Sequence, residues 1–249
     1  MTDPAALPVL AIALTFFVAG IVKGATGMGL PTVAMGLLGA MMPPVAAASL
    51  LILPSFVTNV WQLLGGPGLR DLLRRLYPML LGIVAGTLGG AWMLSRDTGG
   101  WTVAGLGAVL TLYALSGLLA WQFSVPPRLE RPLAPAVGIL TGLLTGGTGV
   151  FVMPAVPYIQ ALGLKREELV QALGLSFTVS TVALGLGLAR VGALRIDDLG
   201  PSLYALAPAL LGMWAGQKIR QLASPAAFRR GFFGCLLLLG LELLRRQLP

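Results

Sequence analysis

The stretch GIVKGATGMGLP, Gly20–Pro31, interrupts a run that is otherwise almost free of charge: before Arg70 the chain carries only Asp3 and Lys23. In a soluble loop, a lysine, four glycines and a proline would mark an ordinary turn. Here they stand inside a long apolar run, at a depth where hydrocarbon would surround them. Backbone N–H and C=O groups left unpaired in hydrocarbon cost several kcal/mol each. An irregular stretch at that depth therefore needs protein or a polar cavity around it.

The rest of the chain places the stretch at membrane depth. Of 249 residues, 56% are hydrophobic and 10% charged, with a mean hydropathy of +0.87. Soluble domains carry about 25% charged residues. Apolar runs bounded by single charges recur from end to end, which predicts an all-α polytopic membrane protein in a lipid bilayer. The alternating ten-residue segments of a β-barrel are not seen. The net charge of +8 falls in short clusters between apolar segments. That is the positive-inside pattern rather than a nucleic-acid face, so no nucleic-acid partner is expected. The opening MTDPAALPVL lacks a basic n-region, so the first apolar segment reads as a membrane element rather than a removed leader. There is no histidine and one cysteine, Cys235. Counting alone excludes a zinc site, a Ser-His-Asp triad and a Cys-His pair. No metal, no cofactor and no enzyme activity is expected.

Breaks at proline, glycine and charge give ten apolar segments, near 7–22, 28–41, 44–65, 75–95, 101–123, 133–145, 149–163, 168–189, 199–217 and 227–247. Most are long enough to span roughly 30 Å of hydrocarbon. The pairs 7–22 with 28–41 and 133–145 with 149–163 are short. Each pair, joined at a glycine tip, predicts a helical hairpin, either crossing or re-entrant.

The short pairs occupy matching places. GIVKGATG (Gly20–Gly27) aligns with GLLTGGTG (Gly142–Gly149) at an offset of 122, with Gly20/Gly142, Gly24/Gly146, Thr26/Thr148 and Gly27/Gly149 identical. Pro31 and Pro154 follow. LLGIVAG (Leu80–Gly86) aligns with LLGMWAG (Leu210–Gly216) at an offset of 130, and Ser55-Phe56 recurs as Ser176-Phe177. The chain reads as two related halves, 1–125 and 126–249, in a single membrane domain. Five segments in each half make the repeats inverted. With ten alternating segments, the side opposite the N-terminus collects twelve Lys and Arg and the N-terminal side five. Counting each short pair as one crossing gives nine to seven. The positive-inside rule prefers the first arrangement, with both termini outside the cytoplasm.

Two inverted halves, each opening with a Gly-rich motif and a proline, resemble the TauE/SafE sulfite-exporter family. The carrying stretches are GATGMGLP (Gly24–Pro31) and LLTGGTGVFVMP (Leu143–Pro154), followed by PPVAAASLLILPSF, LVQALGLSF and the LLGIVAG/LLGMWAG pair. The resemblance covers nearly the whole chain. It implies transport of a small sulfur-containing anion, such as sulfite or an organosulfonate, across the bacterial inner membrane. The first motif departs from the family pattern in having fewer glycines and adding Lys23.

The residues themselves suggest how an anion would be held. Segments 28–41 and 149–163 begin just after a glycine motif, and helix N-termini carry unpaired N–H groups and partial positive charge. Hairpins entering from opposite faces would bring the two N-termini together near mid-membrane. The predicted substrate-binding set is Lys23, Gly24, Thr26, Gly27 and Gly29 from the first motif and Thr145, Gly146, Gly147, Thr148 and Gly149 from the second. Ser55 and Asn59, with Gln62 on the same helix face, and Ser176 and Ser180 at matching places, would line the path. Alternatives stand beside each reading. Glycines four apart also serve close helix packing. Lys23 could snorkel at a helix end, Thr26 and Thr148 could cap helices, and the serines could bond between helices.

No carboxylate stands deep in an apolar run, which weighs against a buried proton relay. The expectation is a secondary transporter or facilitator exporting a sulfur-containing anion by alternating access, driven by the inside-negative potential. The competing expectation is a membrane assembly or scaffold protein that uses the glycines only for packing.

Overall fold

The computed structural model of the protein describes residues 6–96, 100–119, 124–194, 199–222 and 225–247. Those residues form ten helices and no strand: α1 (Ala6–Thr26), α2 (Leu30–Gly39), α3 (Pro44–Leu64), α4 (Leu69–Ser95), α5 (Trp101–Leu118), α6 (Pro127–Thr148), α7 (Ala155–Gln160), α8 (Arg166–Arg190), α9 (Leu199–Leu222) and α10 (Pro225–Arg245). Five of them, α1, α3, α4, α5 and α8, are long and apolar enough to cross a membrane.

The ten helices match the ten predicted segments, but the short pairs differ from expectation. The first member of each pair is a full-length helix. α1 has 21 residues and continues through Lys23 and Gly24; α6 has 22 and continues through Gly142 and Gly146. A charge and helix-breaking glycines argue for a break in water. In a packed membrane helix the backbone bonds are made within the segment, and glycine is used for close approach. Only the second members are short: α2 has 10 residues and α7 has 6. At 1.5 Å per residue, α2 covers about 15 Å, half a bilayer core.

Each break is built by its own motif. After α1, Gly27 takes φ +79 and Gly29 φ +97, the left-handed conformation that side chains disfavour. The Thr26 hydroxyl donates to the Val22 carbonyl at 2.9 Å and accepts from the Met28 N–H at 3.1 Å, closing the turn. Pro31 then starts α2, where its missing N–H costs nothing. After α6, Gly149 takes φ +73, and Thr148 donates to the Leu144 carbonyl at 2.6 Å.

Glycine contacts fix how the helices pair. Along α9, Gly20 meets Ala209 and Met213, and Gly24 meets Met213 and Gln217; Gly212 and Gly216 of α9 face Phe17 and Ile21 in return. Along α4, Gly142 meets Ile83 and Thr87, and Gly146 meets Thr87 and Ala91; Gly86 and Gly90 of α4 face Ile139 and Leu143. A Cβ at any of these eight glycines would run into facing backbone. Both pairs are parallel, and the same contacts recur in both. They equate Gly86 with Gly212 and Gly90 with Gly216, 126 positions apart. The LLGIVAG/LLGMWAG match at 130 is therefore one helical turn out of register. Packing is repeated every turn along a glycine stripe, so local identity does not fix which turn aligns.

Two further pairs are antiparallel. Gly174 of α8 packs on Gln62 and Leu63 of α3, while Gly185 packs on Ile52. Gly107 of α5 packs on Gly240 and Leu244 of α10, while Gly117 packs on Phe233. Together the pairings gather the starts of α4, α6, α8 and α10 and the ends of α3 and α9 at one end of the bundle. Arg70, Arg74, Arg75, Arg128, Arg131, Lys165, Arg166, Lys218, Arg220, Arg229 and Arg230 are exposed there. The opposite end exposes Arg96, Arg190, Arg245 and Arg246; Arg195 falls outside the described residues. At the basic end, Arg75 grips Glu130 at 2.6 and 2.9 Å and the Leu162 carbonyl at 3.0 Å, tying α4 to α6 and to the end of α7.

Candidate functional site: a buried lysine between α1, α3 and α8

Lys23 is 2% exposed, although it stands only three residues from the end of α1. It neither snorkels nor belongs to the exposed basic end. The pairing of Gly20 and Gly24 on α9 holds this turn of α1 inside the bundle. The Lys23 ammonium donates to Oδ1 of Asn59, which is fully buried on α3. The Asn59 amide donates to the Thr181 hydroxyl of α8 at 3.2 Å, and Thr181 donates to the Phe177 carbonyl at 2.7 Å. The ammonium stands 5.8 Å from the centre of the Phe177 ring, within cation–π range. Phe177 in turn packs on Phe151, in the segment after the second glycine motif, at 5.4 Å between centroids. The site thus joins both motifs through one aromatic side chain.

Among the described residues no carboxylate pairs with Lys23: the ion pairs are Arg75–Glu130, Arg245–Glu242 and Arg246–Glu242. An ammonium has three N–H donors, and Asn59 takes one. Burying an ammonium costs several kcal/mol, and a neutral amide oxygen returns only part of it.

The other predicted residues separate into three groups. Gly24 and Gly146 are packing contacts against α9 and α4. Thr145 and Thr148 spend their hydroxyls on carbonyls of their own helix, Thr141 and Leu144, and Thr26 has the carbonyls of Val22 and of Met28, just past α1, within reach. Gly27, Gly29 and Gly149 shape the tips; a Cβ on Gly149 would overlap the Met35 side chain of α2. Ser55, Ser176 and Ser180 are fully buried, and among the described residues none of their hydroxyls has a hydrogen-bond partner. Gly147 is buried, yet nothing packed against it lies within 4 Å of where a side chain would begin.

The two tips do not converge. Met28 accepts a hydrogen bond from Tyr113 of α5 at 3.0 Å, whereas Thr148 is the neighbour of Gly105 on the same helix. Eight residues of α5, about 12 Å, separate the two levels. Each hairpin reaches past the other in depth. α7, with six residues after an irregular stretch, does not present the N-terminus that the sequence suggested.

Thr181 and Phe177 are the partners that sequence reasoning missed. Both lie in SFTVSTVA, beside Ser176 and Ser180, but periodicity does not tell which side chain of a buried helix meets a lysine on another. Among the described residues no group of three or more His, Cys, Asp or Glu could hold a metal ion.

The described residues thus form a helical bundle, with five helices long and apolar enough to cross a membrane, around a buried lysine that has no carboxylate partner among them. The sequence model described as Sulfite exporter TauE/SafE matches residues 12–243, and the chain belongs to that family, a family of membrane anion transporters. No curated protein and no solved structure matches the chain.

Proposed function

We propose that the protein is a secondary transporter or facilitator that exports a small sulfur-containing anion, sulfite or a short organosulfonate, across the inner membrane, and that Lys23 holds the anion. One observation carries the reading: a buried lysine amino group whose single hydrogen-bond partner among the described residues is a neutral amide. The missing counter-charge is what an oxyanion supplies, with its oxygens taking the two free N–H donors. The neighbouring Ser55, Ser176 and Ser180, unpartnered as they stand, are the hydroxyls available along α3 and α8.

The halves 1–125 and 126–249 act as inverted repeats that rock against each other. The duplicated glycine contacts of α1–α9 and α6–α4 support the repeat, and the antiparallel packing of α3 on α8 and α5 on α10 supports its inversion. The basic end is cytoplasmic by the positive-inside rule, which places both termini in the periplasm.

The glycine interfaces alone would serve a scaffold equally well. The lysine favours transport, because an assembly protein gains nothing from burying an uncompensated charge. The test is thermal stability of purified protein titrated with sulfite, sulfate, thiosulfate and methanesulfonate. Binding to the folded state at a hundredfold excess over Kd adds about 2.7 kcal/mol. The reading fails if none of these anions stabilises the protein, or if Lys23→Met is stabilised as much as wild type.

A further inference from the structure

A cavity of about 260 Å³ opens at the basic end, below the Lys23 site, between α3, α8 and α9. Its lining includes Gln62, Val170, Arg166, Arg220 and Glu167. Two guanidiniums against one carboxylate leave it net positive, and neither arginine is paired with a carboxylate among the described residues. A water takes about 30 Å³ of liquid volume, so the space suits a small oxyanion with part of its hydration shell.

The floor of the cavity adjoins the buried site. Gln62 lies three residues beyond Asn59 on the same face of α3, about 4.5 Å along the axis. Its amide donates to the Val170 carbonyl at 2.8 Å, joining α3 to α8 across the floor. Gly27, at the tip of α1, completes the closure: a Cβ there would have Gln62 Nε2 at 3.8 Å and Val170 Cγ2 at 3.9 Å as its nearest neighbours. One turn of α3 therefore separates a solvent-reached basic cavity from the partner of the buried lysine.

We propose that this cavity is an outer anion site, in which Arg166 and Arg220 capture a small oxyanion from solution and deliver it past Gln62 to Lys23. The proposal rests on the transport reading above. Exposed guanidiniums act through a field that salt screens, with a Debye length of about 10 Å at 0.1 M, whereas a buried ammonium is screened far less. Capture by the arginines raises the local anion concentration and the association rate, and leaves the step at Lys23 unchanged.

The experiment is initial-rate sulfite flux in proteoliposomes, measured against concentration at low and high ionic strength, for wild type, Arg166→Gln with Arg220→Gln, Arg166→Lys with Arg220→Lys, and Lys23→Met. The glutamine pair should raise the half-saturating concentration about threefold or more at low salt, keep the maximal rate, and merge with wild type at high salt. The lysine pair should restore the wild-type salt dependence. A glutamine pair that superimposes on wild type at low salt, or loses maximal rate at every salt, overturns the outer site while Lys23-dependent flux still stands. Wild-type protein without sulfite flux, or normal flux by Lys23→Met, overturns the central site and the outer site with it.

Discussion

The Lys23 side chain donates to Oδ1 of Asn59, and the bond ties the last turn of α1 to the C-terminal part of α3 at a place sealed from solvent. The two residues are 36 positions apart. Through the Asn59 amide the link continues to Thr181, in the other half of the chain.

Replacing Lys23 with methionine keeps most of the side-chain volume and removes the charge. Removing an unpaired buried charge relieves its desolvation cost, while leaving Asn59 Oδ1 unpaired costs about 1–3 kcal/mol. The unliganded melting temperature should therefore move little, and the sulfite-dependent shift should vanish. Differential scanning fluorimetry with and without sulfite reads both quantities.

Asn59→Asp gives the opposite perturbation. It places a carboxylate where the amide oxygen now accepts from Lys23, supplying the counter-charge internally. The variant should fold with unchanged or higher stability and bind sulfite at least tenfold more weakly, a loss of about 1.4 kcal/mol or more. Binding isotherms of wild type and variant decide it; equal affinity would show that Lys23 does not meet the anion.

The glycines of the second motif should divide by packing. Gly146→Ala drives a methyl group into the α4 backbone at Thr87, Gly90 and Ala91, and overpacking of this kind costs about 1–3 kcal/mol. Gly147→Ala meets nothing and gains up to about 1 kcal/mol of helix propensity. Thermal melts of the two variants should move in opposite directions although the residues are adjacent.

Net charge movement follows if one anion crosses per cycle without a co-ion. A membrane potential supplies about 2.3 kcal/mol per charge per 100 mV. Outward sulfite flux from proteoliposomes should rise under an inside-negative valinomycin potential and fall when the potential is reversed. Flux indifferent to the imposed potential would mean an electroneutral exchange.

Much of the architecture was legible before any coordinates. Hydropathy and helix punctuation are properties of short windows, so ten apolar segments, the duplicated motif and the resemblance to the TauE/SafE family could be read from residue order alone. The breaks at Gly27–Gly29 and at Gly149 were legible for the same reason, since left-handed glycines and a following proline act locally.

Other features depended on contacts between distant residues. Lys23 looks the same in sequence whether it snorkels at a helix end or is sealed in a core. Only the packing of Gly20 and Gly24 against α9, some 190 residues away, places it inside. Thr26 and Thr148 read equally as ligands or as caps, and the fold gives their hydroxyls nearby backbone carbonyls. The register of α4 against α9 shifted by a turn because a glycine stripe repeats itself. Hydropathy along the chain determined that this protein is a helical membrane bundle. Tertiary structure decided which charge is buried, and what it touches, because burial and pairing are set by neighbours that sequence order keeps far apart.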